Sequence, residues 1–471
     1  MSYDAVVVGS GPNGLAAAIT LAREGCSVLV VEAAETVGGG MRSAELTLPG
    51  FVHDVCSAIH PLGVASPLFL SLPLEEHGLH WIHPELPLPH PLPNDDAALV
   101  HRSLDETAIG FGADANAYLR LLRPFVEGAD KVLRQVLGPF RLPRHPLLMA
   151  RFGLRGMWSA RRLAKSWFRE DRAQGMFAGM AAHSILPLDR WLTAAVGLMF
   201  CVTIHAGGWP LPRGGSQQIA NAMASYLRSL GGEIQTGTRV NALAELPRAK
   251  AFLFDTSPQS LCRIAGDVLQ EGYVRRLQRF RHGPGVFKVD WALNEPIPWR
   301  SPRCRQAGTV HVGGTLDEVA AAEHAAWTDT PAERPFVLLA QQSLFDASRA
   351  PQGQHTGWAY CHVPRGSTID MTERIEAQIE RFAPGFRDVI LARHTMAPGD
   401  FEQYNANYIG GDITGGVMDW RQLFMRPAPR WSPYTTPAKN VFICSASTPP
   451  GGGVHGMCGF HAAQAALRRA L

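Results

Sequence analysis

The sequence predicts an α/β fold in which a parallel sheet is joined to a second, discontinuous α+β region. Three observations carry this reading. Residues 3–8, YDAVVV, form a short apolar run rich in β-branched side chains; Gly9, Gly11 and Gly14 follow at once as G-x-G-x-x-G; and a second apolar run, residues 27–31, ends in Glu32 after one helical segment. Strand, glycine turn, helix and strand make one βαβ unit.

Each piece of that unit has a physical reason. Gly9 permits a tight turn, Gly11 lets backbone approach a pyrophosphate, and Gly14 lets the helix lie close on the strand. Ser10, Pro12 and Asn13 fill the turn, and the helix N-terminus presents free N–H groups to phosphate. Residues 15–24 have helical character, and Gly25 suits the position after the last turn. Glu32, with Ala33 beside it, stands where a carboxylate accepts both hydroxyls of an adenosine ribose and repels a 2′-phosphate, so NADP is not expected. A βαβ unit with no ligand is the competing reading.

Glu32 is followed by x5-G-G-x-x-R, with Gly38, Gly39, Gly40, Met41 and Arg42 in the cluster. This pattern resembles the flavin-containing amine oxidase and phytoene desaturase superfamily. The segments GPGVFKVDWAL, AGTVHVGGT, QQSLFDASRAPQGQHTGWAYCHVP and NYIGGDITGG extend the likeness over the whole chain, toward the phytoene dehydrogenase-like branch. The resemblance implies FAD as cofactor. It also implies a Rossmann-like FAD-binding domain built from residues 1–80, 205–262 and 435–471. Residues 81–204 and 263–434 would then form a substrate domain with a mixed or antiparallel sheet and a helical lid at about 113–198.

On the same basis Gly39, Gly40, Met41 and Arg42 lie by the pyrophosphate and flavin, Val240 meets the adenine, and Ala58, Ile59 and His60 approach the ring. Cys56 and Ser57 stand where relatives carry a glycine pair. In the last motif, NVFICSASTPPGGGVHGMCGF, Gly453 and Val454 or His455 lie under the ring, and Ser445-Ala446 replaces the more usual Gly-Asp or Gly-Ala.

Between these motifs the chain leaves and re-enters the first domain. The proline-rich stretch 84–93, PELPLPHPLP, is extended and marks an exit. Gly214-Gly215-Ser216 opens a helix with Ser216 as N-cap, Gly231-Gly232 ends it, and residues 233–240 return as extended chain. Residues 441–444 read as a strand and 460–471 as an amphipathic helix, and between them the backbone of Gly451, Gly452, Gly453 and Gly456 can lie on a flat ring.

Lys288 and His60 are the catalytic candidates. In VFKVDW, Lys288 and Asp290 share one strand face, with Phe287, Val289 and Trp291 on the other. The resemblance to amine oxidases implies a lysine near flavin N5; the alternative is a surface Lys–Asp pair on a half-exposed sheet. Trp358, Tyr360 and His362 likewise either wall a cavity for a flat apolar substrate or form the packed face of a sheet.

Composition bounds the rest. The chain has 471 residues, 46% hydrophobic and 18% charged, enough for a large core and two domains. A net charge of +3 gives no basic field for nucleic acid. Eight scattered cysteines without a C-x-x-C pair read as free thiols, and the histidines lack metal-ligand spacing, so no metal is expected. No signal peptide or run of about 18 apolar residues is visible, which makes the cytoplasm the expected compartment. Residues 131–169 carry ten Lys or Arg and no Asp or Glu, interleaved with Met149, Phe152, Leu154, Met157 and Trp158. Such a segment either lies peripherally on an anionic membrane or forms a solvated helical lid.

The expected activity is an FAD-dependent dehydrogenase or desaturase-like reaction. Hydride passes from a hydrophobic, lipid or polyene substrate to flavin N5, with reoxidation by oxygen or a quinone. A flavin amine oxidase, a flavin-binding scaffold without turnover and a non-redox isomerase using reduced flavin are the alternatives.

Overall fold

Among residues 2–93 and 96–471, which the computed structural model describes, two five-stranded sheets organise the chain. The first is parallel throughout. Tyr3–Val8 lies at its centre because Ala5, Val6, Val7 and Val8 bury on both faces. Val28–Val31 and Ala249–Phe254 flank it, with Glu233–Gln235 and Val441–Ile443 at the edges. Val8 sits opposite both Val31 and Phe254, and Phe254 opposite Ile443, so four strands end along one line. Ligands of open α/β sheets bind beyond that edge.

The helix Pro12–Arg23 leaves the central strand through Gly11 at its N-cap and stops before Gly25, whose φ is +81°. Residues 13–22 are all buried, because the C-terminal helix Met457–Arg469 packs on this helix from outside the sheet. The approach is close enough that a Cβ on Gly459 would fall 1.8 Å from the Asn13 carbonyl oxygen. Two expectations need adjustment. Of residues 233–240 only Glu233–Gln235 pairs with the sheet, since Gly237 turns the chain at a φ of +64°. Ser216 precedes the helix Gln217–Ser229 but does not cap it with its side chain, which is engaged elsewhere.

The second sheet is antiparallel, in the order Thr309–Val312, Val337–Ala340, His355–Val363, Gly285–Leu293 and Ile390–Met396. All nine residues of Gly285–Leu293 are buried, which overturns the half-exposed reading of this strand. Its apolar face carries Phe287, Val289 and Trp291 into a core where Trp291 meets Phe386 edge-on. Lys288 and Asp290 project to the opposite face and are buried as well.

A helical layer covers one side. Its central helix, Thr193–Gly207, is apolar on nearly all faces and is buried among Ala115–Val126, Pro146–Gly156, Ala160–Trp167 and Asp171–Ala182. Phe152 packs its ring against Phe125, and Arg155 stacks on both Phe125 and Trp167. Phe152 is thus core; Met149 and Trp158 pack partly buried against that core, leaving Leu154 and Met157 exposed. In the proline-rich stretch Leu88–Pro91 pairs antiparallel with Ala97–Val100. Among the described residues no helix is long and apolar enough to cross a membrane.

Candidate nucleotide and substrate site

A cavity of about 560 Å³ runs from the carboxyl edge of the parallel sheet to the face of the antiparallel one. At its first end the glycine turn is closed to side chains. A Cβ on Gly9 would lie 2.9 Å from the Asp255 carbonyl oxygen, one on Gly11 2.7 Å from an Asp255 carboxylate oxygen, and one on Gly14 2.0 Å from the Gly9 carbonyl. Gly9, Ser10, Gly11, Pro12 and Asn13 line the cavity, whereas Gly14 lies behind them as the packing residue.

Glu32 ends its strand with the carboxylate in the wall. Oε2 accepts from the Ser10 N–H at 2.8 Å and the Ser10 hydroxyl at 2.6 Å, while Oε1 accepts from the Ala34 N–H at 2.9 Å and Arg42 Nη2 at 3.2 Å. Four donors occupy the lone-pair directions of one carboxylate. A ribose hydroxyl bound here would share or displace one of them. Arg42 is the movable one, being a long side chain that also donates to the Thr36 carbonyl and lies over the Tyr404 ring. Gly39 and Gly40 hold their expected places in the wall; Met41 does not, because its side chain is fully buried in the core.

Several residues that fix this end escaped the motif reading. Tyr404 donates its hydroxyl to the Gly39 carbonyl at 2.6 Å, and Ser57 donates N–H and hydroxyl to the Gly40 carbonyl. Ser57 thus anchors the loop at a position where a glycine pair is more usual. Asp255 ends the strand Ala249–Phe254 and accepts from the Gly14 N–H at 2.8 Å. Burial pushes its carboxyl up to about 7; the Gly14 hydrogen bond opposes this, and the charge of Glu32 adds to it. The signal for Asp255 was present in the chain: an apolar run, AFLF, followed by DTSP at the mouth of a parallel sheet.

The middle of the cavity brings together distant segments. Ala58, Ile59 and His60 face Ser445, Gly453 and Val454, and Val240 closes the nucleotide end. His455 turns away, its Nδ1 accepting from the Met457 N–H at the start of the last helix. His60 is buried, and burial lowers its imidazole to about 4, so it is neutral. Its Nε2 lies 2.8 Å from the Ser216 hydroxyl, which spends its own proton on the Ser57 carbonyl at 2.6 Å. The network assigns the ring proton to Nε2 and leaves Nδ1 a bare acceptor. Ser216 is unavailable as a helix cap for this reason.

The inner end is apolar and aromatic, walled by Ile185, Phe200, Trp209, Leu338, Trp358 and Tyr360, with His183 and Thr309 between them. Trp358 and Tyr360 stack edge-on at 5.2 Å and line the cavity, so one face does both jobs proposed for it; His362 instead pairs with the buried Glu323 at 2.8 Å. Ile185 has a φ of +52°, a left-handed backbone that a β-branched residue rarely holds. Its carbonyl is fixed by Trp327 Nε1 at 3.0 Å.

Lys288 is placed off the cavity wall. Its amine is hydrogen-bonded to Asp290, both side chains are buried, and His53 and His394 approach the same carboxylate at 3.6 and 3.5 Å. Lys288 holds Asp290 below the usual carboxylate range against the cost of burial. The structure therefore brings His60 to the site and Lys288 to a buried ion pair behind it. Neither the surface position nor a place on the cavity wall describes Lys288.

The glycine cradle, helix N-terminus and buried carboxylate at one end fit a nucleotide-type cofactor, and the aromatic chamber at the other fits a second, apolar reactant. Fold and site together define a nucleotide-dependent oxidoreductase. Residues 7–69 match the NAD(P)-binding Rossmann-like domain family. The chain is 26% identical to pyridine nucleotide-disulfide oxidoreductase domain-containing protein 2 of Rattus norvegicus, over 99% of this chain and 93% of that one. It is 24% identical to the lycopene-forming phytoene desaturase of Pseudescherichia vulneris, over 98% of each. Its fold superposes on putrescine oxidase with a TM-score of 0.62 at 18% identity, over 99% of both chains. The chain is thus similar in sequence to phytoene desaturases and in fold to putrescine oxidase.

Proposed function

We propose that the chain is an FAD-dependent dehydrogenase or desaturase-like enzyme acting on a hydrophobic, lipid-like or polyene substrate. The observation that carries this reading is the continuity of the cavity from the glycine cradle to the Ile185–Phe200–Trp209–Trp358–Tyr360 chamber. When bound, FAD would supply hydride acceptance at the flavin, and oxygen or a quinone would take up the electrons.

The remaining work belongs to the protein. Gly9, Gly11 and the helix N-terminus would hold the pyrophosphate, Glu32 the ribose, and Val240 the adenine. The aromatic chamber aligns the substrate and excludes water. His60 contributes a neutral imidazole whose bare Nδ1 accepts a proton, while Ser216 and Ser57 fix its orientation. Among the described residues no lysine lines the chamber, which speaks for the dehydrogenase reading over the amine oxidase one.

Release and chromatography of the bound cofactor, followed by anaerobic titration with lipid, polyene and amine fractions, tests this reading. Bleaching of the flavin absorbance by a lipid or polyene fraction is the expected outcome. Bleaching by amines alone favours the oxidase, and a flavin that no fraction reduces favours a scaffold.

A further inference from the structure

We propose that the chain docks on anionic lipid bilayers through an apolar crest formed where two acid-free segments meet. Residues 131–169 and 420–471 contain no Asp or Glu, and carry ten and six Lys or Arg respectively. The fold brings them together. The ring of Phe140, in the link between Ala129–Val136 and Pro146–Gly156, meets the ring of Phe424 edge-on at 5.5 Å.

Around that contact the surface is apolar without a protein partner. Phe140, Leu142 and Leu147 are 84%, 93% and 88% exposed, and Trp420, Phe424 and Met425 are each more than half exposed. Trp420 and Phe424 stand one helical turn apart, so they share a face. Arg141, Arg144 and Arg421 are interleaved with these side chains and exposed. Asp419, the carboxylate directly before the Trp420–Met425 helix, is bound to Arg281 at 2.7 Å and caps that helix. Large apolar side chains interleaved with exposed cations complement the headgroup boundary of an anionic bilayer. Of the apolar side chains read from sequence at 149–158, Phe152 is core and Met149 and Trp158 pack against it, leaving Leu154 and Met157 exposed.

The crest is tied to the cavity. Arg426, which directly follows the Trp420–Met425 helix, is buried and donates from Nη2 to the carbonyls of Gly415 and Ala446, both at 2.9 Å. Gly415 and Ala446 line the cavity. Docking itself is independent of the proposed reaction, and its test involves no turnover.

The test is sedimentation of the purified protein with vesicles of phosphatidylcholine, with or without phosphatidylglycerol. Binding is expected only to the anionic vesicles at about 0.05 M salt, with loss at about 0.5 M. The triple variants Phe140→Ser/Leu142→Ser/Phe424→Ser and Arg141→Gln/Arg144→Gln/Arg421→Gln, all at exposed positions, should each lower the partition coefficient by about tenfold. On the native chain, bromine-labelled lipid should quench a component of the tryptophan emission that Trp420→Phe removes. Absence of binding at low salt, equal binding to neutral vesicles, undiminished binding by the apolar variant, or absence of quenching overturns the proposal. So does a concentration-dependent dimer that the apolar variant abolishes, since a second copy would then cover the crest.

Discussion

The carboxylate of Asp255 accepts the backbone N–H of Gly14, so the residue closing one strand of the parallel sheet occupies a donor in the first turn of the helix that follows the glycine turn. An ionised Asp255 and a pyrophosphate compete for the same positive field.

Asp255 thereby makes cofactor retention depend on pH. Its folded value, about 7, lies above the ordinary carboxylate value, so its contribution to stability is full below about pH 4 and is lost as pH rises through 7. Asp255→Asn should flatten this slope, raise stability at pH 8 by about 1–2 kcal/mol, and tighten cofactor binding there. Urea midpoints and cofactor titrations at pH 6 and pH 8 check it; an unchanged pH dependence counts against it.

Glu32→Gln keeps the shape of the side chain but removes the charge that orients Ser10, Ala34 and Arg42. Cofactor affinity should fall by about tenfold or more, in line with charge-assisted hydrogen bonds of about 1.5–3 kcal/mol. Equilibrium dialysis measures it.

Lys288→Met strands the buried carboxylate of Asp290 and should cost about 3–5 kcal/mol of stability. The double variant with Asp290→Asn should recover much of that loss. If the single variant stays as stable as the parent yet its bound cofactor changes spectrum, Lys288 acts at the ring rather than in an ion pair.

Acid should unfold the chain steeply. Burial lowers His53, His60, His90, His205, His455 and His461 to about 4, and His183 to about 3. All are neutral in the fold and take up protons on unfolding, so stability is complete above about pH 6.5 and drains as pH falls toward 4. Each contributes about 1.4 kcal/mol per pH unit in that window. Denaturant midpoints between pH 7 and pH 5 should fall without a change in slope.

The nucleotide end was legible because its determinants are local: Gly9 through Gly14 and Glu32 lie within one βαβ unit whose periodicity is simple. The antiparallel sheet and aromatic chamber were legible in part, since Trp358 and Tyr360 alternate along one strand. The pairings of Asp255, Tyr404 and Ser216 were not, even where the residue itself stood at a readable strand end or helix start, because their partners lie about 160 to 365 residues away and no local pattern encodes such a pairing. Lys288 misled for a different reason. Alternation reports which residues share a face but not whether that face meets solvent, cofactor or another layer. The basic stretch 131–169 was recognised, yet its apolar residues divide between core and surface according to packing against Phe125 and Trp167.

The strand order of the parallel sheet has a consequence for biogenesis. Ala249–Phe254 lies between Tyr3–Val8 and Val441–Ile443, so one of its edges stays open until residue 443 has left the ribosome. During synthesis that apolar edge needs shielding from other nascent chains. Translation halted anywhere between the two strands would leave an aggregation-prone fragment rather than a smaller working protein.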